Sequence, residues 1–310
     1  MKRLLIAYDG SPCAEAAIED LAKAGLPPEM EAAVLSVADV WLPSNPDGPQ
    51  PDFPAANSEA VRKARAQAVD VLESARAMSA RAADRLKTLH PKWKVESFAC
   101  ADSPAWGVLN QATQWKADLV ALGSHGRSVL ERLFLGSVSQ KVAAECPCSV
   151  RISRPRKHSH HMRTRVMVAT DGSEDSLAAV RAVAGRVWPE FSEFRVVAVM
   201  DARMETAIAW PESVAAQWAR EQDSVSGEAL VRMLEHAAKI LSDAGLAVET
   251  QLLKGDPKHE LLTQAEVEHG VRPDVVTYST LLSLCERCAR LTHVPVFQVR
   301  ISGLVSCIEV

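Results

Sequence analysis

The sequence lacks any apolar run near the ~18 residues that are needed to cross a bilayer. The apolar stretch at the amino-terminal end stops at Asp9, which is too short for a secretory signal. It also lacks an excess of either charge, because 35 Lys and Arg face 39 Asp and Glu, for a net charge of -4. We therefore expect a cytoplasmic protein, with no membrane contact and no electrostatic case for binding nucleic acid.

The chain has seven cysteines, and this odd number argues against a disulfide framework in a chain of 310 residues. Two close pairs, Cys146 with Cys148 and Cys285 with Cys288, leave two interpretations open. They could supply four thiolates to zinc, or pack as small apolar side chains. Because Cys-x-Cys is a less usual ligand spacing, we predict no metal site.

The chain contains no Gly-Lys-[Ser/Thr] sequence, which excludes the P-loop of the common ATP-hydrolysing enzymes. What it does contain is ordinary for a globular protein, with 47% apolar and 24% charged residues. A length of 310 residues predicts two domains of about 150 residues each.

The two halves of the chain repeat one another. Residues 3–9 form a short apolar strand pattern that ends in Asp-Gly-Ser, and residues 165–171 do the same. Ser11 and Ser173 are suited to cap the helix that should follow each strand.

The strand and helix patterns continue in the same order through both halves. Long helices are predicted at about 58–89 and 213–244, and residues 43–57 are predicted to form a surface loop. Each half should close on a fifth strand, at 149–152 and 296–299. The alternation predicts an α/β fold with two doubly wound, five-stranded parallel sheets.

One glycine-spaced run occurs in the first half only. Gly123, Gly126, Gly136 and Ser137 lie between a predicted strand at 117–122 and a predicted helix at 137–145. Strand, glycine loop and helix are how an α/β protein presents backbone N–H groups to a phosphate. The second half is ten residues shorter at this point, and Leu282 stands where Gly136 would be. We therefore predict one such site per chain.

These residues resemble the universal stress protein family in its tandem form, through its G-x2-G-x9-G-[S/T] signature. The resemblance implies a Rossmann-like fold of the adenine nucleotide alpha hydrolase type, with two copies paired as an internal pseudo-dimer. It places a first domain at 1–154, a basic, His-rich linker at 155–163, a second domain with a degenerate loop at 164–302 and a tail at 303–310.

The resemblance further implies that the first domain binds ATP, and Mg²⁺ could accompany the phosphates. Ala7, Tyr8 and Asp9 would lie near the adenine and ribose, and Val37 would flank the base. The remaining implied contacts line the loop or hold the phosphates: Leu122, Gly123, His125, Gly126, Gly136, Ser137, Val138 and Ser139.

The chemistry of these residues agrees with that assignment. Gly123 and Gly126 would allow close approach and a positive φ, and the hydroxyls of Ser137 and Ser139 could donate hydrogen bonds. Asp9 could accept one from a ribose hydroxyl, or serve only as a turn residue at the strand end.

Three functions stay open on the sequence. We favour a nucleotide-binding regulatory protein of the stress response that acts on unknown protein partners. The tandem chain could also form a homodimer. A slow ATPase or phosphotransfer enzyme is the first alternative, but His125 has no orienting partner visible in the sequence. The second is an interaction module without a ligand. We expect weak ATP hydrolysis at most.

Overall fold

The computed structural model describes these parts of the chain: residues 2–40, 59–126, 135–155, 163–200, 227–267, 275–276 and 308–309. Several predicted features lie outside them: the loop at 43–57, most of the linker, the loop tip at 127–134, Leu282 and the strand at 296–299.

The first half follows the predicted strand and helix order. Its elements are β1 (Arg3–Ala7), α1 (Pro12–Asp20), β2 (Glu31–Ala38), α2 (Glu59–Leu89), β3 (Lys94–Ala101), α3 (Pro104–Gln114), β4 (Leu119–Gly123), α4 (Ser137–Glu145) and β5 (Ser149–Ser153).

The five strands form a parallel sheet in the order β3-β2-β1-β4-β5. Side chains alternate between its faces, as the period of a strand requires. Leu4 and Ile6 pack with α1 and α2 on one face, whereas Leu5 packs with α3 and α4 on the other. The predicted doubly wound fold is therefore confirmed for the first half.

The second half repeats this pattern as far as it is described. Its elements are β6 (Arg165–Ala169), α5 (Glu174–Ala184), β7 (Glu193–Met200), α6 (Gly227–Asp243), β8 (Val248–Lys254) and α7 (Pro257–Val267). The three strands are parallel, in the order β6-β7-β8. The first two strands of each half share one offset of 162 residues (165 − 3 and 193 − 31).

Two short strands join the halves into one ten-stranded sheet. Val275–Val276 (β9) pairs antiparallel with β5, and Ile308–Glu309 (β10) pairs antiparallel with both β9 and β6. The repeat predicts parallel pairing within each sheet, and the resemblance assigns Ile308 to a tail, so the antiparallel pairing of β9 and β10 differs from both expectations. The difference has a physical reason, since the open edges of β5 and β6 present backbone groups that need partners.

The two halves also contact each other away from the short strands, and there the contacts join equivalent positions of the repeat. The N–H of Val187 donates to the carbonyl of Gly25 at 3.1 Å, and the Arg186 guanidinium donates to the carbonyl of Ala24 at 3.3 Å. Both pairs are separated by the same 162 residues (187 − 25 and 186 − 24) as the strands. Contact between like positions is what a two-fold pairing requires, and it agrees with the predicted internal pseudo-dimer.

In the described part of the chain, no helix is long and apolar enough to cross a membrane.

Asp118 provides a test of how the first sheet is held at its amino-terminal edge. One oxygen of this carboxyl accepts the backbone N–H groups of Lys2 at 2.6 Å and Arg3 at 3.0 Å. Partial burial acts to raise the pKa of Asp118, but these donors and the charge of Arg3 outweigh it and lower the pKa. The ionised form therefore stabilises the fold above the unfolded pKa of about 3.9, and this contribution is lost as the pH falls through the lower folded pKa.

We expect Asp118→Asn to reduce the free energy of unfolding at pH 7 by about 1 kcal/mol or less, because the carboxyl is largely exposed. The difference from wild type should shrink towards zero below pH ~3. Urea unfolding at several pH values measures it, with Asp70→Asn on the exposed face of α2 as the control. A difference that is the same at pH 7 and pH 3 would show that ionisation is not its cause.

Candidate functional site

A cavity of about 360 Å³ opens at the carboxyl ends of β1, β2 and β4. The chain leaves β1 towards one face of the sheet and leaves β4 towards the other, and the cavity lies at this switch point. A doubly wound fold usually binds its ligand there. The lining residues are Ala7, Tyr8, Asp9, Ala14, Leu35, Val37, Pro104, Val108, Leu122, Gly123, His125, Gly126, Leu135, Gly136, Ser137, Val138 and Ser139.

All twelve residues that the sequence singled out lie in this lining. Five more were missed: Ala14, Leu35, Pro104, Val108 and Leu135. Two of these carried a readable signal. Leu35 is two positions before Val37 on the same strand, so both face one side of the sheet. Val108 follows Pro104 by four residues, so both lie on one side of α3.

Gly123 is required by close packing. A Cβ atom at this position would lie 2.6 Å from the carbonyl carbon and Cβ of Cys13 and 2.8 Å from the nitrogen of Ala14. The end of β4 therefore passes against the first turn of α1, with no room for a side chain.

Gly126 brings the same loop against Asp9. A Cβ at Gly126 would lie 2.9 Å from Oδ2 of Asp9, whose Oδ1 accepts the backbone N–H of Ser11 at 3.0 Å. Among the described glycines, neither Gly123 nor Gly126 has a positive φ, so that part of the prediction was wrong. The positive φ belongs to Gly10, at +76°, in the turn that follows Asp9.

The first turn of α4 faces the cavity. Its N-cap is Gly136, which has no side chain to accept a hydrogen bond from the helix. The first N–H groups of a helix have no partner within the helix, so those of Ser137 and Val138 are suited to an anion. Gly136 has ordinary backbone angles, and a Cβ there would come no closer than 3.4 Å to a protein atom outside its chain neighbours.

Ser139 braces this turn. Its hydroxyl is buried and donates to the carbonyls of Ser124 at 2.8 Å and Gly136 at 2.9 Å. The N–H of Gly136 donates to the same Ser124 carbonyl at 2.8 Å. The resemblance predicts that Ser139 holds a phosphate, whereas in the structure its hydroxyl hydrogen is directed to the loop backbone.

His125 has an orienting neighbour that the sequence did not reveal. Its Nδ1 lies 3.1 Å from the hydroxyl of Ser124, and its carbonyl accepts a hydrogen bond from Ser11 at 3.3 Å. The sequence signal was only adjacency, because Ser124 directly precedes His125. The contact fixes the ring at the rim of the cavity.

The hydroxyl of Tyr8 is held by α1. It donates a hydrogen bond to the carboxylate of Glu15. Arg85 of α2 donates to Glu15 as well, and also to Glu19 at 2.7 Å. The phenol of Tyr8 is therefore tied into a surface network of charged groups.

The Asp-Gly-Ser turn recurs in the second half. Oδ1 of Asp171 accepts the N–H of Ser173 at 3.0 Å and its hydroxyl at 2.5 Å. Gly172 has φ +75°, and the side chain of Met233 occupies the space that a Cβ at this position would need. The counterpart of the α4 turn falls outside the described residues.

The fold and the cavity define a doubly wound α/β domain with an anion-suited crevice at its crossover point. Comparison with known proteins gives the family. The profile of the Universal stress protein family matches residues 1–154. A universal stress protein from Thermus aquaticus, encoded in the QAH/OAS sulfhydrylase 3′ region, is 32% identical over 153 residues, which is 49% of this chain and 98% of that protein. The chain belongs to the universal stress protein family.

Solved structures extend the likeness to most of the chain. A universal stress protein from Archaeoglobus fulgidus aligns with a TM-score of 0.50 at 18% identity, covering 85% of this chain and 82% of the other. A family protein from Arabidopsis thaliana, solved with AMP bound, aligns over 51% of this chain and 94% of the other at 13% identity, with a TM-score of 0.31.

Two glycines of the loop allow a matched test of the packing argument. We expect Gly123→Ala to reduce the free energy of unfolding by about 1–3 kcal/mol, because its Cβ would overlap the backbone of α1. Gly136→Ala should change it by less than about 1 kcal/mol, since the nearest neighbour would be in ordinary contact. Urea unfolding of both variants measures the difference. Equal losses would contradict the close approach of β4 to α1.

Proposed function

We propose that the first half binds an adenine nucleotide, with its phosphates at the first turn of α4. The observation that carries this proposal is an uncapped helix start, braced by Ser139, that faces a cavity bordered by close-packed glycines. Backbone N–H groups and the positive end of the helix both favour an anion there.

The other side of the cavity suits a nucleoside. Leu35, Val37 and Val108 offer an apolar wall for a flat base. Asp9 lies at the end of β1 with Oδ1 in the turn, and its carboxylate would accept a ribose hydroxyl.

The finer proposal is ATP with Mg²⁺. In the described part of the chain, no group of three or more His, Cys, Asp or Glu side chains is placed to hold a metal ion. Mg²⁺ would therefore be carried by the phosphates and water, as is usual for this ion.

We propose a regulatory role in which nucleotide binding shifts the loop after β4 or the pairing surface between the halves. In the described lining, the titratable side chains are Tyr8, Asp9 and His125. Tyr8 is tied to Glu15, and no lysine adjoins the Gly136 turn. These features support binding with hydrolysis that is weak at most.

A charge at Ser137 tests where the phosphates lie. Ser137 is exposed at the start of α4, so Ser137→Asp should stabilise the helix by about 0.3–1 kcal/mol. The same charge should weaken ATP binding by at least about tenfold through repulsion. Gln140→Glu places an equal charge one turn later, on an exposed position outside the cavity lining, and should change affinity by less than about threefold.

Isothermal titration with ATP and with adenosine separates the possible results. Adenosine binding should be nearly equal in wild type and both variants, because adenosine has no phosphate. AMP and cyclic AMP serve as competitors, since solved structures of family members hold them. Equal ATP affinity in the two variants would place the phosphates elsewhere, and no binding to wild type would remove the proposal.

We also propose a tandem organisation with one nucleotide site per chain, in the domain at 1–154. The second domain, at 164–302, would act as its internal partner. The repeated turn offers a matched pair of variants, because Asp9 and Asp171 make the same bond to a Ser backbone N–H, at 3.0 Å in both halves. Because Asp171 also accepts the Ser173 hydroxyl at 2.5 Å, Asp171→Ala should cost at least as much stability as Asp9→Ala.

We expect Asp9→Ala to weaken ATP binding about tenfold or more, through the loss of a charge-assisted hydrogen bond to ribose. Asp171→Ala should leave the affinity within about twofold of wild type. Titration of wild type should give one ATP per chain. Two equivalent sites, or equal losses in both variants, would show that the second half binds in the same way.

A further inference from the structure

The last turn of α4 leads into two thiols that the nucleotide site does not use. Cys146 is the C-cap of α4, and Cys148 directly precedes β5. Their sulfur atoms lie 3.5 Å apart, separated in the chain only by Pro147. This distance is short enough for one thiol to donate a hydrogen bond to the other. To form a disulfide, the two sulfur atoms would have to move together to about 2.05 Å.

The surroundings of the two thiols differ. Cys146 is 4% exposed and packs in the apolar cluster under α3 and α4, whereas Cys148 is only partly buried at its margin. A small oxidant can therefore reach the pair from the side of Cys148. Pro147 restricts the backbone between them, which limits the freedom that bond formation would remove.

The electrostatics assign different roles to the two sulfurs. The hydrogen bond from Cys148 favours the thiolate of Cys146 and lowers the pKa of Cys146, against the opposing effect of burial. The same bond, followed by burial and by the negative charges of Cys146 and Asp118, raises the pKa of Cys148. Since the thiolate is the reactive form, this difference favours Cys146 as the nucleophile and Cys148 as the resolving thiol.

We propose that Cys146 and Cys148 form a reversible disulfide when a small hydroperoxide reaches the α4–β5 corner. The Cys146 thiolate attacks the terminal peroxide oxygen, the O–O bond breaks, and the leaving group takes up a proton; it is hydroxide from hydrogen peroxide and alkoxide from an alkyl hydroperoxide. The resulting sulfenic acid is attacked by Cys148 after loss of its proton; the S–S bond forms, the S–O bond breaks and water leaves. Two thiols are oxidised, and one peroxide is reduced to two molecules of water or to water and an alcohol.

The ring closed by this bond would contain a single intervening residue. Because Cys148 is only partly buried, a thiol in solution can reach this bond and reduce it by exchange. The product is therefore a reversible modification that thiols such as glutathione can remove. The inference does not depend on nucleotide binding.

Trypsin makes the test direct. Cleavage after Lys141 and Arg151 releases residues 142–151, a peptide that contains both Cys146 and Cys148 and no other cysteine. The full chain is treated with hydrogen peroxide, alkylated, digested and analysed by mass spectrometry. Cys100 lies alone in the peptide 95–116 and serves as the internal control, because burial raises its pKa.

We expect the peptide 142–151 to lose two hydrogen atoms and to resist alkylation, at a rate at least about tenfold above oxidation of Cys100. Glutathione should restore both alkylation sites. In Cys148→Ser, dimedone should trap a sulfenic acid on Cys146, whereas in Cys146→Ser, Cys148 should stay available to alkylation. Circular dichroism checks that both variants are folded.

Two results would overturn the proposal. One is a doubly alkylated 142–151 peptide after peroxide has oxidised Cys100. The other is a result in which Cys146 and Cys148 form disulfides only with cysteines of other peptides or of other chains, and none with each other. Trapping of a sulfenic acid on Cys148 rather than Cys146 would also reject the assigned direction of attack.

Discussion

The parallel pairing of β1 with β4 is the constraint on which the rest of the first half depends. From this pair, the chain leaves β1 towards one face of the sheet and leaves β4 towards the other, so α1 and α4 cannot close over the strand ends between them. The crevice that remains is lined by glycines and serines of the loop on one side and by apolar side chains such as Leu35, Val37 and Val108 on the other. Its width is set by Gly123, which lets the end of β4 touch the first turn of α1.

A buried ion pair fixes α1 against β5, the strand next to β4. Arg151 of β5 is 2% exposed and donates through Nε at 2.8 Å and Nη2 at 2.5 Å to Asp20, at the end of α1. Ser153 adds a third donor to the same oxygen at 3.2 Å. Replacing such a pair by apolar groups is often neutral, but removing one partner leaves a buried charge and is costly. The pair therefore specifies how α1 sits against β5.

The sequence was sufficient where a feature depends on local pattern. Helix α4 begins and ends at the predicted residues, Ser137 and Glu145, and the twelve residues that were predicted to contact a nucleotide all line one cavity. It was insufficient where a feature depends on which atoms meet in space. The bonds of Ser139 to two carbonyls and of Ser124 to His125, and the pairing of Val275 beside β5, come from packing that no local pattern contains.

Helix α4 places the two proposed chemistries at opposite ends of one rigid element. Nine residues at 1.5 Å each separate the phosphate-facing turn from the Cys146 cap by about 13 Å. Ser139 holds the first end to the Ser124 carbonyl, and Cys146 holds the second to the core. Any free-energy coupling between nucleotide and disulfide must be reciprocal. A disulfide that weakens nucleotide binding by some factor is therefore itself disfavoured by bound nucleotide by the same factor, and either measurement determines the other.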